Sequence, residues 1–251
     1  MRPIRLASAL LSYLALVACA AVPGQELVGS APPRDPVPAG ANFKAYPLAS
    51  VPDPWEGFNR SIYKFNTQFD RYVYLPVVRG YEYVMPDMVE QGVSNFFNNL
   101  GEIRNGLNAA MQLRGDTFGT ALGRLMINTT LGVGGIFDIA TSVGIEEHRE
   151  DFGQTLGRWG VGDGPYLVLP IYGPSNVRDT SGLVVDSAIN SLAPVISDIN
   201  DLVYFSPAIF GLYAIDARHQ VAFRYYQSGS PIEYSLVRFL YTKKRELDIL
   251  K

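Results

Sequence analysis

Asp53-Pro-Trp-Glu-Gly-Phe-Asn-Arg-Ser-Ile-Tyr-Lys-Phe-Asn-Thr-Gln-Phe-Asp-Arg-Tyr72 is the stretch whose reading decides the fold. Asp53 is a helix-capping residue, Pro54 suits a first helical position, and Glu56 follows one turn on, the pattern of a helix N-terminus. Phe58, Ile62, Phe65, Phe69 and Tyr72 then recur at helical spacing. The stripe reads either as a face turned to a core or as a face turned to a membrane. In both cases the first ordered element is a helix.

The same period continues downstream. After a connector expected around Leu75-Pro76, Pro86 opens a segment carrying Val89, Val93, Phe96, Phe97 and Leu100. Its tail, Asn95-Phe-Phe-Asn-Asn99, mixes aromatics with amides. Gly101 is expected to interrupt it, leaving Glu102 to Leu113 as a further helix. Gly115, Gly119 and Gly123, one turn apart, predict a groove for close backbone approach. On that reading Gly119→Leu is strongly destabilising. Gly132-Val-Gly-Gly135 ends this helix, and Ile136 to Val143 is a short helical piece. In the glycine-dense run Asp151 to Tyr166, Gly153, Gly157, Gly160, Gly162 and Gly164 let the backbone turn through positive φ. Tyr166 to Tyr172, closed by Gly173-Pro174, reads as a short strand pair or an irregular loop. Ser175 is a candidate cap for a helix reaching Leu192. Pro207 to Tyr226 and Pro231 to Leu247 give two more helices. The basic run Lys243-Lys244-Arg245 then falls in a last turn, where the helix dipole favours it. The sum is an all-α fold in one domain without internal repeats.

Upstream, the chain reads as an export and anchoring signal. Arg2 and Arg5 precede an apolar stretch from Leu6 to Val17, too short for the ~20 residues of a spanning helix. Leu16-Val-Ala-Cys19 resembles the bacterial lipobox, and Cys19 is the only cysteine of the chain. Lipidation there removes a thiol that is otherwise at risk in an exported protein. Residue 20 is Ala rather than Asp, which in the usual sorting pattern implies release to the outer membrane. Residues 1–18 are thus read as signal peptide and 19–52, rich in Pro and Gly, as a lipidated tether. Residues 53–251 form the helical domain.

The net charge of −3 gives no footprint for nucleic acid. Charged residues make up 18% and aromatics 12%, a composition that suits either an interfacial surface or a large core. Material for catalysis is sparse. His148 lies in the charged run Glu146 to Glu150, read as a solvated loop, and His219 reads as a surface histidine. No His-Glu-x-x-His or Gly-x-Ser-x-Gly motif occurs. Gly160-Val-Gly-Asp-Gly164 lacks the Lys-Ser/Thr of a phosphate loop. Neither metal nor cofactor is expected.

Several motifs together resemble the MlaA (VacJ) lipoprotein family. The opening one is Asp53-Pro-Trp-Glu-Gly-Phe-Asn-Arg60 with Tyr63, Phe65 and Asn66. The middle ones are Asn95-Phe-Phe-x-Asn-Leu100, Asn128-x-Thr-Leu-Gly132, Gly134-Gly135 and Asp138. The most distinctive is Asp151-Phe-Gly-Gln-Thr-Leu-Gly157, with Trp159-Gly160, Gly162, Gly164-Pro-Tyr166, Leu169-Pro170, Gly173-Pro174 and Arg178-Asp179. Ile103 stands where the family usually has proline, and the stretch after Asp186 diverges.

The resemblance implies a ring-like helical domain in the inner leaflet of the Gram-negative outer membrane, with an amphipathic central channel. Phospholipids misplaced in the outer leaflet would pass through it to a periplasmic phospholipid-binding carrier, on the periplasmic face and beside trimeric porins. Lipid on Cys19 would be the only attached group. The residues it singles out for motif, channel or gate are Asp53, Pro54, Glu56, Phe58, Asn59, Phe65, Asn95, Phe96, Phe97, Gly153, Gly157, Gly160, Gly162, Gly164, Pro165 and Tyr166. Two other readings stand beside it: a porin-bound structural lipoprotein that moves no lipid, and a lipid-acting hydrolase.

Overall fold

The computed structural model describes residues 51–192, 207–226, 230 and 232–251. The expected signal peptide, Cys19 and all but the last residues of the tether lie outside them.

Helix α1, Glu56–Phe69, runs into a π-helical turn at Asp70–Tyr74 and on into α2, Leu75–Val84. The connector expected at Leu75-Pro76 is therefore absent. Pro76 has no N–H to donate, and it sits in the first turn of α2 behind the widened turn, where Leu75 N–H reaches back to Asp70 O. Asp53 does not cap α1: the N-cap is Trp55, with no side-chain cap bond.

Pro86 precedes α3, Asp87–Met111, as expected. Gly101 does not break it. Its penalty of up to about 1 kcal/mol in a helix interior is outweighed by the contacts α3 makes along its length, and the helix passes through Ile103. A turn at Gln112–Arg114 leads into α4, Gly115–Thr130. The pairs Asn99 with Thr129 and Glu102 with Arg124 show that α3 and α4 form an antiparallel hairpin. The glycine groove expected on α4 is not there: a Cβ on Gly115, Gly119 or Gly123 meets nothing within 4 Å. The close approach comes from α3 instead, where Gly106 faces Ala121.

Asp138 caps α5, Ile139–Ser142, and Asp151 caps α6, Phe152–Arg158. Strands β1, Tyr166–Leu169, and β2, Gly173–Asn176, form an antiparallel hairpin with Tyr166 opposite Asn176 and Leu169 opposite Gly173. Among the described residues the fold is helical apart from this strand pair. Asn176, one residue after the expected Ser175, accepts the Asp179 N–H at 2.7 Å and starts α7, Val177–Leu192. Helix α8, Pro207–His219, stops short of Tyr226, and α9, Glu233–Leu250, outruns its expected end. The basic run 243–245 thus lies inside α9 rather than in its last turn.

The apolar core is small and built on tyrosine. Tyr63, Tyr166, Val168, Tyr225 and Tyr234 are buried together. Tyr63 meets Tyr225 and Tyr234 edge-on at 5.0 and 5.5 Å, and its hydroxyl donates to Glu233 at 2.8 Å. Burial pushes the Tyr225 hydroxyl up to about 12.

Candidate functional site

The two faces of α1 are inverted relative to a helix on a water-soluble core. Phe58 and Phe65, with Tyr72 in the turn beyond, are 55%, 48% and 66% exposed, Phe69 is half-buried and Ile62 packs at the edge of the tyrosine core, whereas Asn59, Tyr63, Asn66 and Thr67 are buried. The aromatic stripe is therefore not the core face. Buried amides need partners, and these find them on β1. Asn59 Nδ2 donates to Tyr166 O at 3.0 Å while its Oδ1 accepts the Val168 N–H at 2.9 Å. Two turns on, Asn66 donates to Leu169 O and accepts from Ile171 N–H. One helix face thus takes the place of a third strand. Asp53 joins the same corner, accepting from Asn59 at 2.8 Å, from Arg238 at 3.1 Å and from the Tyr234 hydroxyl.

The α3–α4 hairpin repeats the inversion. Leu107, Phe118, Leu122, Met126, Leu131 and Phe137 are exposed. Inside, the Arg124 guanidinium, 3% exposed, donates to Glu102 at 2.5 Å and to Asp138 at 3.1 Å. Burial raises the Glu102 carboxyl above its ordinary range even against the bonds from Arg124 and Asn105. Burial also pushes on Asp138, but bonds from Thr141, Asn128 and Arg124 bring it below. Next to this cluster Asn108 donates to Asp186 at 2.9 Å, and Thr155 donates to Asn108. Gln112 and Arg114 both reach Glu150. Glu150 is buried although it closes the run read as solvated; His148 in that run is exposed.

A second ionic interior joins α6, α7 and α9. Arg245 makes paired bonds to Asp151 at 2.6 and 2.8 Å and a third to Asp179 at 2.8 Å. Burial alone would raise Asp151, but the Arg245 bonds and charge hold its carboxyl well below the usual range. Gly153 and Gly157 belong to this packing and are not turn glycines. A Cβ on Gly153 would sit 2.6 Å from Asp179 Oδ1, and one on Gly157 would sit 2.5 Å from Ile249. Gly182 of α7 lies against the Gly153 backbone, 2.3 Å from a built Cβ.

The turn proper is residues 159–165. Gly160 and Gly164 have φ of +90° and +67°, the left-handed region that favours glycine, and Gly162 has open space around it. The end of this loop meets the start of the domain: Pro52, Pro54, Gly164, Pro165, Tyr166 and Lys243 share the wall of a cavity of about 500 Å³.

The expected residues therefore divide. Asp53, Pro54, Asn59, Gly164, Pro165 and Tyr166 come together at the hairpin and its cavity. Phe58, Phe65 and Glu56 lie on the outer face of α1, with Glu56 paired to Arg60. Asn95, Phe96 and Phe97 sit apart on α3, where Asn95 donates to Ile136 O and Phe97 packs on Tyr213. His219 is half-buried and bonded to Glu82 at 2.9 Å. The sequence reading gives no role to Arg124, takes Arg178 only as part of a motif and Arg245 only as a dipole-matched charge, and treats Asp186 only as the edge of the resemblance. The amide face of α1 had a usable signal, since Asn59, Tyr63 and Asn66 fall opposite Phe58 and Phe65.

Among the described residues no helix is long and apolar enough to cross a membrane. Apolar side chains outside, amides and ion pairs within, and no span define the class: a helical protein whose outer faces are suited to lie against lipid. The chain belongs to the MlaA lipoprotein family, which matches residues 51–248. It is 39% identical over 165 residues to an uncharacterised protein of Rickettsia prowazekii, covering 66% of this chain and 62% of that one. The intermembrane phospholipid transport system lipoprotein MlaA of Shigella flexneri is 40% identical over 153 residues, 58% of each chain. Its counterpart of the same name in Escherichia coli K12 is 40% identical over 142 residues, 53% of this chain and 55% of that one. The chain thus spans about three-fifths of these relatives' length or less. A solved structure concerned with maintenance of bacterial outer membrane lipid asymmetry superposes with a TM-score of 0.63 at 31% identity, covering 79% of this chain and 99% of that one.

Proposed function

We propose that this protein removes misplaced phospholipids from the outer leaflet of the Gram-negative outer membrane. It passes them to a periplasmic lipid carrier, held on the periplasmic face by acyl groups on Cys19 and seated beside trimeric porins. The activity is translocation through an amphipathic channel, with no bond broken and no cofactor beyond the covalent lipid. The observation that carries this reading is the inverted exterior of α1, α3 and α4. Exposed apolar side chains gain by contact with acyl chains, whereas the same faces in water cost about 25 cal/mol per Å². The loop 159–165 is the gate in this reading: Gly160 and Gly164 hold positive φ, Gly164 beside a cavity, and alternative backbone states are accessible to glycine at little cost.

The test is deletion and rescue in the parent bacterium, reading labelled outer-leaflet phospholipid. A rise on deletion that wild type reverses and Cys19→Ala does not is the expected result. No rise on deletion overturns transport and favours a structural lipoprotein bound to porin. Proline at Gly160 or Gly164 cannot adopt the native φ. Such variants are expected to fold and to fail in rescue; full rescue by both removes the gate.

A further inference from the structure

From Leu125 to Phe137 the chain carries no charged residue. The two charges that close this run, Arg124 and Asp138, are paired with each other at 3.1 Å, with Arg124 buried. Residues 131–137 form the turn between α4 and α5, and it shows its apolar side chains. Leu131, Val133, Ile136 and Phe137 are exposed, Leu131 by 68% and Val133 by 62%, in continuity with exposed Met126 near the end of α4. Val133 stands at φ +54°, an outlier for a β-branched residue in a region that glycine and asparagine visit readily. Gly134 and Gly135 follow at +72° and +94°, so glycine is at hand where the backbone needs it. Position 133 instead carries a strained, outward apolar side chain. The polar groups of the turn are folded in. Leu131 and Gly132 donate their N–H groups to Ile127 O, Gly134 to Thr129 O, Gly135 to Asn128 O and Phe137 to Gly132 O, at 2.8–3.2 Å. Asn95 of α3 donates to Ile136 O at 2.9 Å, and the Thr130 hydroxyl to Met126 O at 2.7 Å. A Cβ on Gly132 would stand 2.2 Å from Phe137 O, so only glycine closes the turn this tightly.

We infer that the turn 131–137 is a wedge that enters the acyl-chain region of a lipid leaflet. Irregular backbone reaches that depth only where its polar groups are bonded within the protein, and a charge there is costly. The turn meets both conditions. A patch for docking protein needs neither, because its rim is polar and bonds to the partner. The N–H groups of Val133 and Ile136 take no part in the bonds above, which sets the turn at the boundary of headgroups and acyl chains rather than at the midplane. The strain at Val133 is stability given up to hold an apolar side chain at the tip. The choice of lipid as the occupant rests on the outward apolar faces of α3 and α4 described above, and the test separates the turn from those faces.

Cys19 is the only cysteine, so the full chain with Cys19→Ser takes a single nitroxide label at Val133→Cys or, separately, at Met126→Cys. Vesicles of phosphatidylethanolamine and phosphatidylglycerol are added. Collision of each label with oxygen, which concentrates among acyl chains, is compared with collision with a water-soluble nickel chelate. The label at 133 is expected to shift toward oxygen at least as far as the label at 126. If 126 shifts and 133 stays with nickel, the wedge is overturned and the lipid-facing side of α4 stands. If neither shifts, both fall. A label at 133 shielded from oxygen and nickel alike before vesicles are added puts a second copy of this chain on the turn and overturns the lipid assignment. Val133→Asn gives an independent reading without a label. Asparagine accepts the left-handed backbone and removes the apolar tip, so vesicle partitioning should fall roughly tenfold while the denaturation midpoint holds or rises. Unchanged partitioning, or a lowered midpoint, overturns the wedge.

Discussion

The α3–α4 hairpin and the α6–α7–α9 clamp have like interiors and different exteriors, apolar on the hairpin and mixed apolar and ionic on the clamp. Each buries an arginine between two carboxylates: Arg124 between Glu102 and Asp138, Arg245 between Asp151 and Asp179. Outside, the hairpin shows Phe118, Leu122 and Met126, whereas α9 sets the pairs Lys243 with Glu246 and Lys244 with Asp248 among exposed Leu240 and Leu247. The interior therefore does not report what surrounds each region; the exterior does. Ion pairs inside both regions fix which elements meet, because an arginine left without its carboxylates is far costlier than a mismatched apolar contact.

The largest expected effect tests the likeness of the interiors. Arg124→Met and Arg245→Met each leave buried carboxylates unpaired, which costs about 3–5 kcal/mol in such settings. Denaturant midpoints should fall by similar amounts in both. A loss below about 1 kcal/mol in one of them, the size of an exposed pair, would separate the two regions. Next comes packing specific to the clamp. Gly182→Ala drives a methyl into the Gly153 backbone, and overpacking of this kind costs about 1–3 kcal/mol. An unchanged midpoint would mean that α6 and α7 are free to separate.

The exteriors are contrasted by binding. Leu122→Asp with Met126→Asp, or Phe65→Asp, should leave the denaturation midpoint nearly unmoved and reduce liposome partitioning of a non-lipidated form roughly tenfold or more, given about 1.5–3 kcal/mol for burying each such side chain. Lys244→Leu on α9 should not reduce it. Equal losses in both regions would erase the difference. Acid titration gives a smaller contrast with opposite signs. Asp151 is depressed, so its contribution is present above the ordinary carboxylate pKa near about 3.9 and is lost as pH falls through its lower folded value. Glu102 is raised, so its contribution is full below the ordinary glutamate pKa of about 4.3 and is lost as pH rises through the higher folded value. The stability gap between wild type and Asp151→Asn should shrink on acidification, and the gap to Glu102→Gln should widen. Denaturation series across pH check both slopes.

Much of the helical order was legible because periodicity reports helices whatever surrounds them. Pro86 marks a true helix start, whereas Asp138 caps its helix from inside the piece expected at Ile136 to Val143, and Asp151 caps a helix where a glycine-rich turn is expected. Periodicity does not say which face points inward: the stripe of Phe58 and Phe65 has the spacing of a core stripe and lies outside. The opposed face, Asn59, Tyr63 and Asn66, carried that information, since amides recurring at helical spacing opposite aromatics have no reason to face water. Long-range partners were not legible. Asp53 resembles a cap but is held by residues more than a hundred positions away, and Arg245 resembles a dipole-matched surface charge but is the centre of the clamp. The glycines of 151–166 look alike in sequence and divide in space. Gly153 and Gly157 are spaced for contact, and Gly160 and Gly164 are shaped for a turn.

The smallest effect expected concerns the glycines of α4. Gly119 was read as the floor of a packing groove, which would make Gly119→Leu severely destabilising. It lies on the exposed side of α4, and a Cβ placed there meets nothing within 4 Å. What remains is its backbone freedom, which costs about 0.8–1 kcal/mol in a helix interior relative to alanine. Gly119→Ala should therefore stabilise the chain by up to about 1 kcal/mol, and Gly119→Leu by slightly less. Gly106→Leu at the matching contact on α3 should destabilise, because Ala121 and Phe118 already occupy that space. Denaturation of the three variants side by side decides it. A destabilised Gly119→Ala would mean that a partner packs on this side of α4 in solution, and the exterior of the hairpin would then be an interface with protein rather than a face for lipid.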